Sequence, residues 1–493
     1  VITPRKKYFL YLLSFAEGGA VMATELIGAR LLAPYFGTSL YVWTSVMALT
    51  LTGLASGYFL GGRLSRKNNH EKILFSIVLL ASLYIFCLPL LASFFLYLAT
   101  SAPLLPAVLL SSLIVLFPPV FMMGMVSPLL IASLTSTKEE SGRRAGEIYA
   151  VSTLGGICFT FLTGFYTVPV WGLEASLFTV ASILVIFPLL YFSLKKFFLP
   201  FILVAFFVSA IVFFSSHKTN SLFVSEGLLG KLEVSDDLLQ GSDSCRLLLI
   251  DNVIQSCTEL RSGKSKLEYT DLLQKNLSQM GRKPKRTLIL GLGGGVLANE
   301  LAQDSCQVTA IELDKRIVDV AKKYFHLDPS VQVIQDDARH ALYKIDGKFD
   351  LIVLDLFRGE TSPTHVLSLE SFERMKELLS EDGFIFINTY GYLHNPASAG
   401  NLLLLRTFQQ AGLFYRICYV GDKTNEDYRN LEIFISKTPI KNRLQNELDE
   451  SIPSLAKLPV NTDDRPVLEY ASASAARQWR HSYLQNFIRY KGK

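Results

Sequence analysis

Residues 287–314 read TLILGLGGGVLANELAQDSCQVTAIELD, and this stretch decides the fold. Thr287–Leu290 predicts a short buried strand. Gly291-Leu292-Gly293-Gly294-Gly295 is a glycine-rich turn, and Val296–Gln303 predicts a helix. Gln307–Ile311 predicts a second strand that ends in Glu312-Leu313-Asp314. Strand, glycine turn, helix and strand make one half of a parallel α/β unit. Glycines in such a turn let a ligand approach the backbone at a helix N-terminus. A carboxylate about 20 residues past the turn, at the end of the second strand, can accept both hydroxyls of a ribose. Each feature alone has an ordinary reading, a tight turn for the glycines and a solvated strand-end acid for Glu312.

The pattern continues downstream. Lys315–Tyr324 predicts a helix, Val331–Ile334 a strand ending at Asp336-Asp337-Ala338, and Asp350–Leu354 a strand ending at Asp355. A helix near 368–379 precedes a strand over Phe384–Asn388. This rhythm predicts a Rossmann-like parallel sheet with helices on both faces and ligand chemistry at the carboxyl ends of the strands. An adenosyl site follows, built from Gly291, Gly293, Gly295, Glu312, Leu313, Asp336, Asp337 and Ala338. Asp337 is placed for an adenine amino group, and Asp355 faces the reacting end of the ligand. NAD fits less well, because the turn lacks the usual helix-capping third glycine and no second mononucleotide half of ordinary length follows. Upstream, 228–235, 244–250 and 253–260 predict short strands, with Asp251-Asn252 as a tight turn. This β-hairpin lid carries Gln255. Lys264–Met280 predicts a helix that carries Tyr269.

The rest of the chain differs in kind. Half of the 493 residues are hydrophobic and mean hydropathy is +0.32. Residues 1–219 hold 14 Lys and Arg, 7 Glu and no Asp, so this half is net +7 while the remainder is net −2. Apolar runs near 8–29, 39–61, 73–97, 105–134, 147–169, 172–193 and 197–214 are long enough to cross a bilayer core, which needs about 20 residues. Seven spans are expected, or eight if Pro118, Pro119 and Pro128 split the fourth run into a pair. The first run carries Glu17 and Glu25 and does not read as a cleaved signal peptide. Lys and Arg cluster before the first span and between spans two and three, four and five, and six and seven. The positive-inside rule places those loops in the cytoplasm. An odd count would then leave the soluble half outside, so a missed span near Pro118 is the favoured resolution. The expected location is the cell membrane, multi-pass, with the catalytic domain cytoplasmic. The expected domains are a transmembrane region over 1–216, a hairpin lid and linking helix over 221–282, a Rossmann-like domain over 283–440 and a tail over 441–493. The lipid bilayer and a small-molecule substrate are the expected partners. A homodimer is also expected, since a half-bundle must pair to form a pathway. No basic stripe with interleaved aromatics points to nucleic acid.

The soluble half resembles the spermidine synthases, the polyamine aminopropyltransferases, over about residues 222–440. The match runs through Leu249-Ile250-Asp251-Asn252-Val253-Ile254-Gln255, Tyr269, the glycine turn, Ile311-Glu312-Leu313-Asp314, Asp336-Asp337-Ala338 and Leu354-Asp355. The apolar half resembles the multi-span region fused to such domains in bacterial membrane-bound relatives, through Glu25, Arg30, Pro34, Gly37, Ser39 and Trp43. The resemblance implies a class I methyltransferase/spermidine synthase-like fold that binds decarboxylated S-adenosylmethionine. It implies transfer of the aminopropyl arm to putrescine and release of methylthioadenosine. By the same resemblance Gln255 and Glu312 hold the ribose, Asp337 the adenine, and Asp355 the region near the sulfur and the amine.

Three positions depart from the family pattern. Gly294 stands where the glycine turn usually has Asp, Arg358 where a second Asp follows Asp355, and Thr270-Asp271 where His-Glu follows the tyrosine. Arg358 disfavours a dicationic acceptor and suits a carboxylate. The sequence therefore favours intact S-adenosylmethionine or its decarboxylated form as substrate. Its arm would be cleaved or cyclised by a catalytic set of Asp355, Arg358 and Tyr269. Aminopropyl transfer is the close alternative. Methyl transfer, a transporter with a sensor domain (Glu17, Glu25 and Arg30 being costly within a membrane) and a binding module without activity are the others. No metal is expected, since the six cysteines form no CxxC motif. Cys245 and Cys257 are placed nearly opposite on the hairpin, as two free thiols. Residues 474–493, with Arg477, Trp479, Arg480, Arg489 and Tyr490, are expected either on the membrane surface or as a frayed tail.

Overall fold

A computed structural model describes the chain except residues 1–2, 37–39, 100–103, 216–220, 228, 239–243, 357–362, 395, 422–428, 449–451 and 492–493. The chain divides into two compact units, residues 1–219 with 225–231, and residues 220–224 with 232–493.

The first unit is helical. Its helices are α1 (Pro4–Phe36), α2 (Leu40–Leu64), α3 (His70–Ala99), α4 (Leu104–Val115), α5 (Phe117–Gly124), α6 (Val126–Leu134), α7 (Ser141–Leu162), α8 (Val168–Leu194) and α9 (Leu199–Ser215). Among the described residues, five helical runs are long and apolar enough to cross a membrane, against the seven or eight expected. The difference has two physical sources. One run, Ser141–Leu194, is 54 residues long. At 1.5 Å per residue it measures about 80 Å, far more than a roughly 30 Å hydrocarbon core. It is broken at Gly172, whose φ of 86° and ψ of 175° are not helical. The other is α9, in place of the run expected at 197–214, whose 17 residues fall short of the roughly 20 a bilayer core needs; the proline-rich run still gives one span, although it is cut after Val115 and again at Met125, where no side chain caps the ends. Gly37 and Ser39 lie outside the described residues.

Apolar side chains occupy both faces of these helices. Leu13, Ile27, Leu74, Leu88 and Leu129 are fully buried, while Leu51, Phe59, Phe94 and Phe165 are more than half exposed. An apolar outer face of this kind suits a lipid solvent rather than water. Contacts between α1 and α7 rest on glycine. A Cβ on Gly155 would overlap the Phe15 carbonyl oxygen, and one on Gly18 the Ser152 carbonyl oxygen. Small residues at such crossings let helix backbones approach closely. Buried Glu17 accepts a hydrogen bond from Ser152 across the same contact (3.3 Å). Glu147 accepts from Tyr11, Arg143 and Arg144.

The second unit holds two sheets. The lid is four-stranded, in the order β1 (Ser221–Ser225), β2 (Leu232–Leu238), β3 (Ser244–Ile250), β4 (Val253–Glu259). Asp251 and Asn252, both at positive φ, make the β3–β4 turn. Strand β1 was not foreseen, and β2 starts four residues later than the pattern suggested. Cys245 pairs with Glu259 and Cys257 with Leu247, so the two thiols are diagonal rather than opposite, and both are free.

The main sheet contains β5 (Arg286–Leu290), β6 (Gln307–Glu312), β7 (Gln332–Gln335), β8 (Phe349–Leu354), β9 (Leu379–Gly391), β10 (Phe414–Val420) and β11 (Arg429–Ser436). Its order is β10-β11-β9-β8-β5-β6-β7. Only β11 runs antiparallel to the others. The sheet is therefore Rossmann-like and mixed rather than purely parallel. Its helices are α10 (Glu268–Gln279), α11 (Val296–Gln303), α12 (Lys315–Tyr324), α13 (Ala338–Lys344), α14 (Leu369–Leu378), α15 (Ala399–Gln410) and α16 (Leu468–Lys491). Residues 441–493 are not a tail. Leu444, Leu455 and Leu468 are buried in the cores on the two faces of the sheet. Helix α16 packs on the soluble unit, and Trp479 stacks on Tyr390 at 5.3 Å. The side chains of Arg477, Arg480, Arg489 and Tyr490 lie outside the described residues.

Gly155→Ala is expected to destabilise the helical unit by roughly 1–3 kcal/mol through overpacking. Gly146→Ala, on the same helix with open space around it, should change little. Thermal unfolding of the detergent-solubilised chain checks both.

Candidate active site

The site lies where the chain reverses direction across the sheet. From β5 the chain moves to β6 and β7 on one side, then returns to β8 on the other. Leu290 is in register with Ile311 of β6 and with Leu354 of β8. The next residue of β5, Gly291, therefore meets the residue after β8, Asp355. At φ 96° Gly291 adopts a conformation that L side chains avoid, and a Cβ there would overlap the Asp355 carbonyl oxygen. A crevice at such a switch point is where open α/β sheets bind ligands.

The glycine turn is shaped by its neighbours. Gly293 (φ 54°) and Gly295 (φ 75°) are left-handed, and Gly295 is the N-cap of α11. Gly294 donates its N–H to Ser256 Oγ on β4 (2.7 Å), which fastens the lid to the turn. A Cβ at Gly294 would lie 3.0 Å from Phe325 and Ser256 carbons. The absent aspartate is thus matched by close packing in this chain.

Glu312 closes β6 and is buried. Its carboxylate accepts the backbone N–H of Leu292 (3.1 Å) and of Asp314 (2.9 Å). Burial pushes its carboxyl above the usual range, while these backbone donors pull against that shift. Leu313 is half exposed beside it. Asp336 bonds His340 Nδ1 (2.8 Å), which holds it below the usual carboxylate range. Asp337 is the N-cap of α13 and accepts from the N–H of Arg339 (2.9 Å) and His340 (3.2 Å). Its other oxygen is 3.5 Å from His365. Ala338 opens the helix and is buried. Gln255 sits on β4 and donates to the Val253 carbonyl (3.4 Å).

Asp355 is the centre of the buried polar array. The Tyr269 hydroxyl donates to its Oδ2 (2.6 Å), and Asn388 Nδ2 donates to its Oδ1 (3.1 Å). Burial raises the carboxyl, and the two donors oppose the rise by favouring the charged form. Burial and then the Asp355 charge push the Tyr269 phenol well above its ordinary value. A small cavity beside them is lined by Ser256, Tyr269, Thr270, Gly291, Leu292 and Asp355. Thr270, where the family pattern has an imidazole, donates its hydroxyl to Leu267 O (2.9 Å). Arg358 lies outside the described residues. Among those described, no group of His, Cys, Asp or Glu is placed to hold a metal ion.

Residues 267–404 match the family model of the spermine/spermidine synthase domain. The C-terminal part of the chain carries a spermidine synthase domain. The chain is 27% identical over 240 residues to the polyamine aminopropyltransferase of Vibrio vulnificus, covering 46% of this chain and 76% of that protein. It is 28% identical over 186 residues to a probable polyamine aminopropyl transferase of Bifidobacterium longum (37% and 40%). A polyamine aminopropyltransferase of Hydrogenobaculum is 32% identical over 164 residues (30% and 54%). The chain thus spans about half the length of the latter two relatives. A solved probable spermidine synthase from Corynebacterium glutamicum aligns with a TM-score of 0.42 at 19% identity, covering 49% of this chain and 96% of that one.

The site also has close neighbours outside the sequence-derived set. Asn388 ends an apolar run, Phe-Ile-Phe-Ile-Asn, and that abrupt polarity was its available signal. Ser256 had none. Tyr483 of α16 donates to Asn252 O (3.1 Å) and accepts from Ile254 N–H (2.9 Å), pinning the lid hairpin beside Gln255.

Ser256→Ala leaves the Gly294 N–H buried without a partner, a loss of about 1–3 kcal/mol. Hydrogen exchange at the glycine turn should accelerate roughly 10- to 100-fold, as read by mass spectrometry.

Proposed function

We propose that the soluble unit transfers the aminopropyl arm of decarboxylated S-adenosylmethionine to an amine acceptor and releases 5′-methylthioadenosine. The observation that carries this reading is the Tyr269–Asp355–Asn388 array, set against the glycine turn at the switch point of a spermidine synthase domain. The names of the curated relatives support the same reaction. Glu312 would hold the ribose, and Gln255 and Asp337 would complete the adenosyl site.

The chemistry asks for position more than for force. The neutral amine attacks the carbon bonded to sulfur in line with the departing group. The new C–N bond forms as the C–S bond breaks, and the electron pair returns to sulfur, leaving a neutral thioether. Holding the two reactants at near-attack distance supplies much of the acceleration. The product ammonium carries one proton more than a neutral amine, and ionised Asp355 can orient the amine and accept that proton. The apolar helices of the first unit would hold this activity at a lipid bilayer.

A second reading is kept for one observation. Gly294 and Arg358 stand where the family pattern has aspartates. A pocket with fewer acids suits intact S-adenosylmethionine, whose own carboxylate could attack its γ-carbon to give a lactone and the same thioether.

Incubating the full chain with decarboxylated S-adenosylmethionine and putrescine, and separately with S-adenosylmethionine alone, separates these readings by mass spectrometry. Methylthioadenosine with an aminopropylated amine is expected from the first mixture. Release from the second without an acceptor would favour the lactone route, and release from neither sinks both. Glu312→Gln should weaken methylthioadenosine binding about 10- to 100-fold by calorimetry, if it loses a charge-assisted contact of about 1.5–3 kcal/mol. Tyr269→Phe removes a donor to the charged form of Asp355, so its carboxyl rises further. The acid limb of the pH–rate profile should move to higher pH, and a shift to lower pH would contradict the assignment.

A further inference from the structure

Strand β11 brings one unexpected residue into the core. Glu432 lies in the ladder between Asn388 of β9 and Cys418 of β10. It is fully buried, and neither carboxyl oxygen has a hydrogen-bond partner among the described residues. Its surroundings are apolar, with Phe386, Phe434 and Leu444 in the same core. Burial alone pushes its carboxyl up to about 9. The polar groups that face this region are few. They are Asn388 from β9, Cys418 from β10, and Asn276 and Tyr269 from α10, with Glu447 beyond Cys418 and paired to Arg416 (2.9 Å). Among the described residues no cation but Arg416, which is paired to Glu447, stands with them.

The second observation is on Asn388. Its Nδ2 donates to Asp355, while its Oδ1 is buried without a donor among the described residues. Turning the amide over would aim Oδ1 at the Asp355 carboxylate, so the amide orientation is fixed by charge. Asn388 and Glu432 are directly paired in an antiparallel ladder, where opposed Cβ atoms are about 4.5–5.5 Å apart. Two acceptor groups thus face one another with no proton between them. A single proton on Glu432 satisfies both, because a protonated carboxyl gains a donor.

We infer that Glu432 is a neutral carboxylic acid that donates to Asn388 Oδ1 and so fixes the amide that holds Asp355. Glu432 is then a positioning residue, acting on the reacting centre through Asn388. Its functional meaning rests on the proposed role of Asp355, but the hydrogen bond does not. A neutral Glu432 also leaves Asp355 as the one anion of this array, which keeps the acid's affinity for a proton and for an amine undisturbed by a second buried charge.

The test uses the full chain in detergent or nanodiscs. Infrared difference spectra of wild type against Glu432→Gln at neutral pH should show the C=O band of a protonated carboxylic acid, lost in the variant. Asn388→Leu should shift that band, because the acid loses its acceptor. A missing band, or a band unmoved by Asn388→Leu, overturns the inference. Neither readout needs turnover, so a chain that shows the band but makes no methylthioadenosine sinks the transfer reading and supports the hydrogen bond. In an active chain, Glu432→Leu should lower kcat roughly tenfold with KM little changed. Glu432→Gln, which still carries a donor, should stay within about twofold. Equal losses in the Gln and Leu variants would overturn the donor role. Should the Leu variant fail to fold, the infrared readouts and the Gln variant still decide.

Discussion

The parallel pairing of Thr287–Leu290 with strands on both sides is the constraint on which the site depends. Its register sets Leu290 level with Ile311 and Leu354. Gly291, Glu312 and Asp355 then emerge at one edge of the sheet because the strands stop together. The hydrogen bonds continue this ladder past the strand ends, from Gly291 N–H to Ile311 O (2.9 Å) and from Asp355 N–H to Leu290 O (3.0 Å). No side chain fits between Gly291 and the Asp355 carbonyl, so glycine is required there by contact as well as by φ. A slip of one residue in β5 would turn its inward apolar set outward and pull the turn from the acid.

The lid is coupled to this edge by backbone rather than by bulk. Ser256 takes the Gly294 N–H, and Tyr483 takes and gives at the hairpin turn. Trp479 stacks between Tyr390 at the end of β9 and Tyr483 (5.3 and 4.9 Å). The C-terminal helix therefore links β9 to the hairpin through three rings. Those aromatics suggested a membrane-facing tail only because their partners are about 90 and 230 residues away in sequence, beyond the reach of any local pattern.

The same limit explains what was and was not legible elsewhere. Helices Val296–Gln303 and Lys315–Tyr324 and the strands around them follow local periodicity, and they stand where the pattern placed them. Glu312 and Asp355 were legible because a strand end is a position, and position carries their geometry. Asn388 and Glu432 were not, because their meaning comes from β11 inserting between β9 and β10. That insertion is antiparallel and non-local, and nothing in the order of strands along the chain announces it. A glutamate inside Leu-Glu-Ile-Phe-Ile reads as an ordinary alternating strand until the sheet covers both of its faces. The helical half shows the opposite case. Its apolar runs were plain, but Gly172 and Met125 decide where they end, and helix breaks depend on neighbouring packing as much as on composition.

The acids of the second unit differ in what they have left to give a ligand. Glu312 already accepts two backbone N–H groups, so it anchors the turn whether or not a ribose adds to it. Asp337 caps a helix with one oxygen and keeps the other toward His365. Glu432, if neutral, contributes no charge. The negative charge available at the reacting edge is then that of Asp355. On the proposed reading this one anion meets one cation of the bound reactants, and each further uncompensated cation about 4 Å from that cation in a partly buried site costs several kcal/mol. An acceptor with a second ammonium would need that charge met elsewhere. The two positions where the family pattern has carboxylates to meet it are here Gly294, packed against Phe325, and Arg358, which lies outside the described residues. On the proposed reading, selectivity for the acceptor therefore rests on groups beyond those that would hold the adenosyl moiety.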